Sequence, residues 1–195
     1  MAGPWRAARH HGGMTITPGA AAAAPPFSHV KIRTAALVFC GDEIALIRRE
    51  RPGGDHYSVP GGNVEDGESL PEALRRELAE ELALDTDRAE GGELLWVIDQ
   101  RVTRPGPAPS PRKLHLIHRL RIGGDVRADL ATEECDELPD GTHDVGAIEW
   151  IDYRKTAGLP VYPPVGPALA ALPHPRATVA DAGLEAFTDG NYTWR

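Results

Sequence analysis

A chain of 195 residues with a formal net charge of −8 suits one domain with tails, and its acidity argues against a general binder of nucleic-acid polymers. Hydrophobic residues make up 41% and charged residues 26%, as in soluble globular proteins, and no apolar run approaches the roughly 18–20 residues that span a bilayer. The two cysteines, Cys40 and Cys135, have no metal-ligand spacing, which favours a reduced, cytoplasmic chain over a disulfide-stapled one.

Residues 1–28 are rich in Ala, Pro and Gly and read as a disordered leader. Their alanine run, 20–24, is too short for a secretory core, and Met14 is an alternative start. Residues 31–39 are β-branched and apolar and read as a strand; 40–43 are a turn and 44–49 the returning strand. A Pro/Gly loop over 51–55 precedes a short strand, 57–59, that runs into Pro60-Gly61-Gly62. Ser69-Leu70-Pro71-Glu72 is a capping box, and 73–82 then hold only good helix formers. Residues 93–102 and 113–122 read as strands joined by a proline-rich loop, with Leu114, Leu116, His118, Leu120 and Ile122 on one face. Residues 130–145 are acidic and turn-like, 147–151 a last strand and 167–172 a short helix. Strands and helices without βαβ regularity predict an α+β domain around a mixed sheet, over 29–173, with a tail at 174–195.

The helix carries a conflict. With Leu74 at zero and about 100° per residue, Leu70 and Leu78 fall within about 40° of it and define the buried stripe. Glu77 and Glu81 fall inside or beside that stripe, and Glu80 at its edge. An amphipathic helix ordinarily sets its carboxylates opposite its leucines. Arg76 points well away from Glu77 and Glu81, within reach of Glu80. Two readings remain: a solvated acidic face with i,i+4 pairs, or carboxylates gathered on a hard divalent cation.

Gly62-x5-Glu68-x7-Arg76-Glu77-Leu78-x-Glu80-Glu81-x-Ala83-Leu84 closely resembles the Nudix box, G-x5-E-x7-R-E-U-x-E-E-x-G-U, where U is aliphatic. Ala83 stands where that pattern has glycine. The specific motif covers residues 62–84; the general resemblance runs from about 30 to 173. It implies the Nudix fold, a mixed sheet sandwiched between helices with a loop–helix–loop catalytic motif. It also implies Mg²⁺, or Mn²⁺ in its place, held by Glu77, Glu80, Glu81 and the carbonyl of Gly61, with Glu68 and Arg76 bracing them.

The activity so implied is hydrolysis of a diphosphate linkage in a small nucleotide-like substrate. The markers of the ADP-ribose, NADH, diadenosine-polyphosphate and coenzyme A types are not seen. A small MutT-like member remains, with nucleoside triphosphates or nucleotide sugars as substrates. A general base is sought at Glu81 or, downstream, at Asp144; Glu133, Glu134 and Glu137 are lesser candidates that read rather as a solvated loop. Arg48 or Arg49 would hold a phosphate. Neighbouring strand residues face opposite ways, so one of the two enters the site, and Arg49 is preferred. Tyr57 and His56 would stack on a base, whereas Trp96, Trp150, His115 and His118 read as structural. An isomerase resting on Cys40 has no second feature in support. The competing class is a non-catalytic nucleotide-binding or sensor module. A monomer or a homodimer fits equally.

Overall fold

The computed structural model describes residues 27–103, 109–138 and 140–192. The leader expected over 1–28 therefore lies outside the described residues up to 26, as does most of the proline-rich loop.

The chain opens with a long strand, β1 (Phe27–Cys40), and turns through Gly41 into β2 (Glu43–Arg51). The two strands keep register only at Phe39–Ile44 and Cys40–Glu43 and then part. From there β2 pairs with β3 (Gly54–Ser58), while β4 (Gly61–Asn63) takes the place beside β1 that β2 has left. The strand expected over 57–59 is thus β3, which begins earlier within the expected loop over 51–55, and after Val59-Pro60 a further strand, β4, follows. The helix α1 (Leu70–Leu82) follows, then a 3₁₀ turn at Thr86–Arg88, β5 (Glu90–Arg101) and β6 (Ser110–Arg121). β6 runs antiparallel to β5 and parallel to β1, with Arg33 beside His115 and Val38 beside Leu120.

A short helix, α2 (Gly124–Ala128), precedes the acidic stretch read as turn-like, and that stretch contains instead a strand, β7 (Glu133–Glu137). β7 pairs antiparallel with β8 (His143–Asp152), which lies against β2. A 3₁₀ segment (Tyr153–Gly158), β9 (Val161–Tyr162) and α3 (Gly166–Ala170) come next.

The segment expected as a tail after residue 173 folds back onto the sheet. Its β10 (Phe187–Thr188) pairs with β5, Val97 exchanges backbone hydrogen bonds with Ala182 and Leu184, and Arg119 donates to the Ala177 carbonyl at 2.7 Å. Buried Phe187 anchors it, at 3% exposure.

The sheet is covered on both faces, which is why residues 35–39 read as an unbroken apolar run. Leu37, Phe39, Ile44 and Leu46 face one core with Trp96, Ile117, Tyr153 and Leu169. Ala36, Val38 and Ala45 face the other, beneath Leu74, Leu78 and Leu82 of α1. Of the expected apolar face only Leu120 and, just past β6, Ile122 are buried; Leu114 and Leu116 are half-buried. Ile117 and His115, on the opposite face, are buried instead. Among the described residues no helix is long and apolar enough to cross a membrane.

Candidate functional site

The site begins with how α1 is started. The Ser69 hydroxyl accepts from the Glu72 amide and the Glu72 carboxylate accepts from the Ser69 amide, closing the expected capping box. That start fixes the rotation of the helix. The buried stripe is Ala73, Leu74, Leu78 and Leu82, whereas Leu70, in the first turn, is 38% exposed. At the other end Ala83 adopts a left-handed conformation, φ 55°, and its amide reaches back to Ala79. It does the work of a glycine cap at a conformational cost of roughly 1–2 kcal/mol.

Glu77 and Glu81 project from this stripe onto β4. Glu81 Oε2 accepts from the Gly61 amide at 2.7 Å. The Glu77 carboxylate fills the space where a Cβ on residue 62 would stand, so Gly62 is needed for its approach. Arg76 wraps back along the helix, contrary to its direction on the wheel. It grips Glu68 with two bonds of 3.0 Å, donates to Glu77 Oε1 at 2.9 Å and Glu80 Oε2 at 3.2 Å, and reaches the Asn63 carbonyl at 3.1 Å. Its long side chain spans angles that Cα positions alone do not. Glu80, at the edge of the stripe, has a side chain 60% exposed.

Burial dominates the electrostatics. It pushes the Glu81 carboxyl up to about 8, against the pull of the Gly61 amide and with the repulsion of Glu77 and Glu134 added. Burial likewise raises Glu77, while Arg76 opposes it. Arg76 holds Glu68 below the usual carboxylate range.

A carboxyl whose folded pKa is raised stabilises the fold below its ordinary pKa, and that stabilisation is lost as pH rises through the folded value. For Glu81 the window runs from 4.5 to about 8. The metal-free protein should therefore lose melting temperature between pH 5 and pH 8, and Glu81→Gln should flatten that loss. Scanning calorimetry checks this; parallel curves for the two proteins would refute a buried charge at Glu81.

Among the described residues no three His, Cys, Asp or Glu groups already converge as a metal cage. The expected convergence of Glu77, Glu80 and Glu81 is in this structure a convergence of two. Glu77 and Glu81 nevertheless fit a divalent cation. They are hard oxygen donors, withdrawn from water against the backbone of Gly61 and Gly62, with Glu80 one helical turn from Glu77 and held by the same arginine, Arg76.

Beside them, where β1 and β2 part, lies a cavity of about 350 Å³ whose lining includes Arg33, Arg49, Arg51, Glu81, Lys113 and Asp144. Arg49 faces it and Arg48 does not, as strand alternation requires. Arg49 is buried and donates to Glu134, to Asp136 at 2.9 Å and to Ser58 at 3.3 Å, with Asp144 3.3 Å from its Nε. Arg48 lies on the other face, bonded to Glu149 at 2.6 Å. Tyr57 sits opposite Arg48 in register and is buried in the main core, so it is not brought to this cavity. His56 is at its edge.

Asp144 is held by the fork of Arg51, at 3.0 and 2.6 Å, which keeps its carboxyl below the usual range. Glu134, expected in a solvated loop, is 6% exposed and raised by burial. Glu133 is exposed, and the side chain of Glu137 lies outside the described ones.

The sequence reading set Glu134 aside as part of a solvated loop and did not single out Asp136, Arg51, Arg33 or Lys113. One signal becomes readable once the strands are aligned. Asp136 lies directly opposite Asp144, a like-charge pair that requires a cation between the strands, and Arg49 supplies it.

His115 is buried and driven down to about 3, neutral against the Gln100 side chain at 2.8 Å, while His118 faces the other way. Trp96 is buried in the core and Trp150 lies under the guanidinium of Arg127. Both cysteines are free thiols.

The NUDIX domain family matches residues 30–169. No curated protein sequence matches the chain. Among solved structures, a NUDIX hydrolase from Nitrosomonas europaea is similar with a TM-score of 0.52 at 16% identity, over 84% of this chain and 81% of that one. A MutT protein from Methanosarcina mazei Go1 is similar with a TM-score of 0.50 at 18% identity, over 72% and 90%. At such identities the likeness is one of fold.

Proposed function

The chain belongs to the NUDIX family of hydrolases, which act on nucleoside diphosphate derivatives and generally use divalent metals, and on that premise we propose that it hydrolyses the diphosphate linkage of a nucleoside triphosphate or nucleotide sugar with Mg²⁺. One observation carries the reading. Glu77 and Glu81 are withdrawn from water and laid on the backbone of Gly61 and Gly62, at the edge of a cavity also lined by arginines.

Glu77, Glu81 and the Gly61 carbonyl would hold the ion, joined by Glu80 through a change of side-chain rotamer. Once bound, the ion neutralises phosphate oxygens and acidifies a water; Mn²⁺ would serve in its place. Glu81 is fixed through one oxygen by the Gly61 amide, leaving the other to take a proton from the attacking water. Asp144 is the less suitable base, because the Arg51 fork engages both its oxygens. It acts as a positioning residue instead, holding Arg51 and Arg49 at the cavity wall. Glu68 works through Arg76 to fix Glu77.

The test is a nucleotide panel with Mg²⁺, in which phosphate release is assayed with and without added pyrophosphatase. Release from at least one nucleoside diphosphate derivative is expected. Silence across the panel, with nucleotide binding retained, would replace this reading with that of a binding module.

A further inference from the structure

Resting on that hydrolase reading, we propose that the returning C-terminal segment builds a nucleobase subsite: Tyr192 and the turn from Leu159 to Pro167 line a second cavity, which meets the diphosphate cavity at His56 and takes the base of the substrate.

Residues 174–192 lie beyond the end of the family match at residue 169, and they fold back onto β5. The ring of their buried anchor, Phe187, packs on three others, with centroids 5.0 Å away for Tyr192, 5.8 Å for His115 and 6.1 Å for Tyr162. His115 and Tyr162 line the diphosphate cavity, so the segment is fastened to that cavity through its own lining. Asn191 fixes the last turn. Its Oδ1 accepts from the Thr188 amide at 2.7 Å, and its Nδ2 donates to the Ala186 carbonyl at 3.1 Å.

Tyr192 is thereby held at a cavity of about 420 Å³, a size usual for small-molecule sites. Leu159, Pro160, Pro164 and Pro167 also line it. His56 lines both this cavity and the diphosphate cavity. The register of β2 with β3 sets His56 directly opposite Arg49, and its ring lies 6.3 Å from that of Tyr162.

The two cavities differ in chemistry. The first is lined by several arginines and carboxylates, whereas among the described residues lining the second there is no Asp, Glu, Lys or Arg. Burial, reinforced by Arg51 and Arg49, lowers the pKa of His56, so the imidazole between the cavities is neutral near pH 7. A nucleoside diphosphate derivative is divided in the same way, into a charged linkage and a flat, uncharged base. Proline and tyrosine side chains offer apolar faces to such a ring. A hexose brings several hydroxyl groups, each of which needs a hydrogen-bond partner on leaving water. The Asn191 amide is already committed to its own segment, so the base is the portion that fits.

The experiment measures kcat/KM for a nucleoside triphosphate and for a nucleotide sugar of the same base, and Ki for inorganic tripolyphosphate, which has no base. The full-length proteins are the wild type, Gly158→Trp, Tyr192→Ala, Tyr192→Phe, Trp194→Ala and a surface control, Arg88→Gln, whose side chain pairs with Asp129. Gly158 lines the second cavity and nothing lies within 4 Å of a Cβ there, so a large ring can be added without moving the backbone. Gly158→Trp and Tyr192→Ala should each lower kcat/KM about tenfold for both nucleotides and change the tripolyphosphate Ki by under about threefold. Tyr192→Phe should retain most of the activity, and Arg88→Gln should match the wild type. A loss confined to the nucleotide sugar would place the hexose in the cavity and overturn the subsite. So would an equal weakening of tripolyphosphate, no loss at all, or a Trp194→Ala variant that binds nucleotides more tightly, because the chain's own end would then be the occupant.

Should no substrate be hydrolysed, Kd values for adenosine and guanosine triphosphates and for tripolyphosphate, measured by calorimetry, decide separately. Nucleotide Kd values raised by Gly158→Trp and Tyr192→Ala, with that of tripolyphosphate unchanged, uphold the subsite while the hydrolase reading falls. Unchanged nucleotide Kd values overturn the subsite as well.

Discussion

Glu81→Gln is expected to lower kcat by at least about 100-fold at saturating Mg²⁺ while leaving a folded protein. Glutamine keeps the oxygen that accepts from the Gly61 amide, so the contact between α1 and β4 survives. It loses the charge that would help hold a cation and the basicity that would take a proton. Removing a buried negative charge should also raise the stability of the metal-free protein near pH 8, opposite in sign to the loss of activity. A variant that simply unfolds would lose both together. Stopped assays across a Mg²⁺ titration, with melting curves on the same preparations, separate these cases. A kcat within about threefold of the wild type would remove Glu81 from the chemistry.

Gly61→Ala is expected to cost on the order of 3 kcal/mol of stability or more, measured by urea unfolding. Residue 61 has φ 138°, a conformation L side chains rarely adopt, and a Cβ there would overlap the Thr34 carbonyl oxygen and the Cα of Ala35. Those atoms are the backbone of β1, which is fixed on its other edge by β6, so no flexible side chain can yield. The same residue gives its amide to Glu81, and its carbonyl accepts from Arg33. The variant should therefore lose its organisation at the metal loop even where it remains folded. Gly158→Ala is the contrast, because nothing lies within 4 Å of a Cβ there and near-wild-type stability is expected. Equal stability of the two variants would show that β4 shifts freely, contrary to the packing described.

What could be read from the residues alone depended on whether the signal was local. The start of α1 was readable because a capping box is complete within four residues, and the inward turn of Glu77 and Glu81 followed from helical geometry. Leu70 was misplaced because the wheel gives direction but not what lies beneath each turn. β7 escaped notice for another reason. Glu133, Glu134 and Asp136 form a strand only because β8 lies alongside and Arg49 compensates Glu134 and Asp136 from β2, over 80 residues earlier. Arg33 was not singled out, because residues 31–39 were read as a strand from their β-branched and apolar members. Its place beside the Gly61 carbonyl appears only when β4 fills the gap left by β2. The folding back of residues 174–192 rests on Phe187 and on backbone bonds to β5, neither of which leaves a periodic trace.

The parallel pairing of β1 with β6 has a consequence for biosynthesis. Val30 lies beside Arg112, about 80 residues further along. At ribosomal speeds of about 5–20 residues per second, the nascent first strand waits roughly 4–16 s for its neighbour to emerge. Throughout that interval the run Ala35-Ala36-Leu37-Val38-Phe39 has lost no apolar surface to β6, and such a stretch is a ready template for association with another unfinished chain. Yield of soluble protein should consequently respond to translation rate and chaperone supply more steeply than the stability of the finished molecule would indicate.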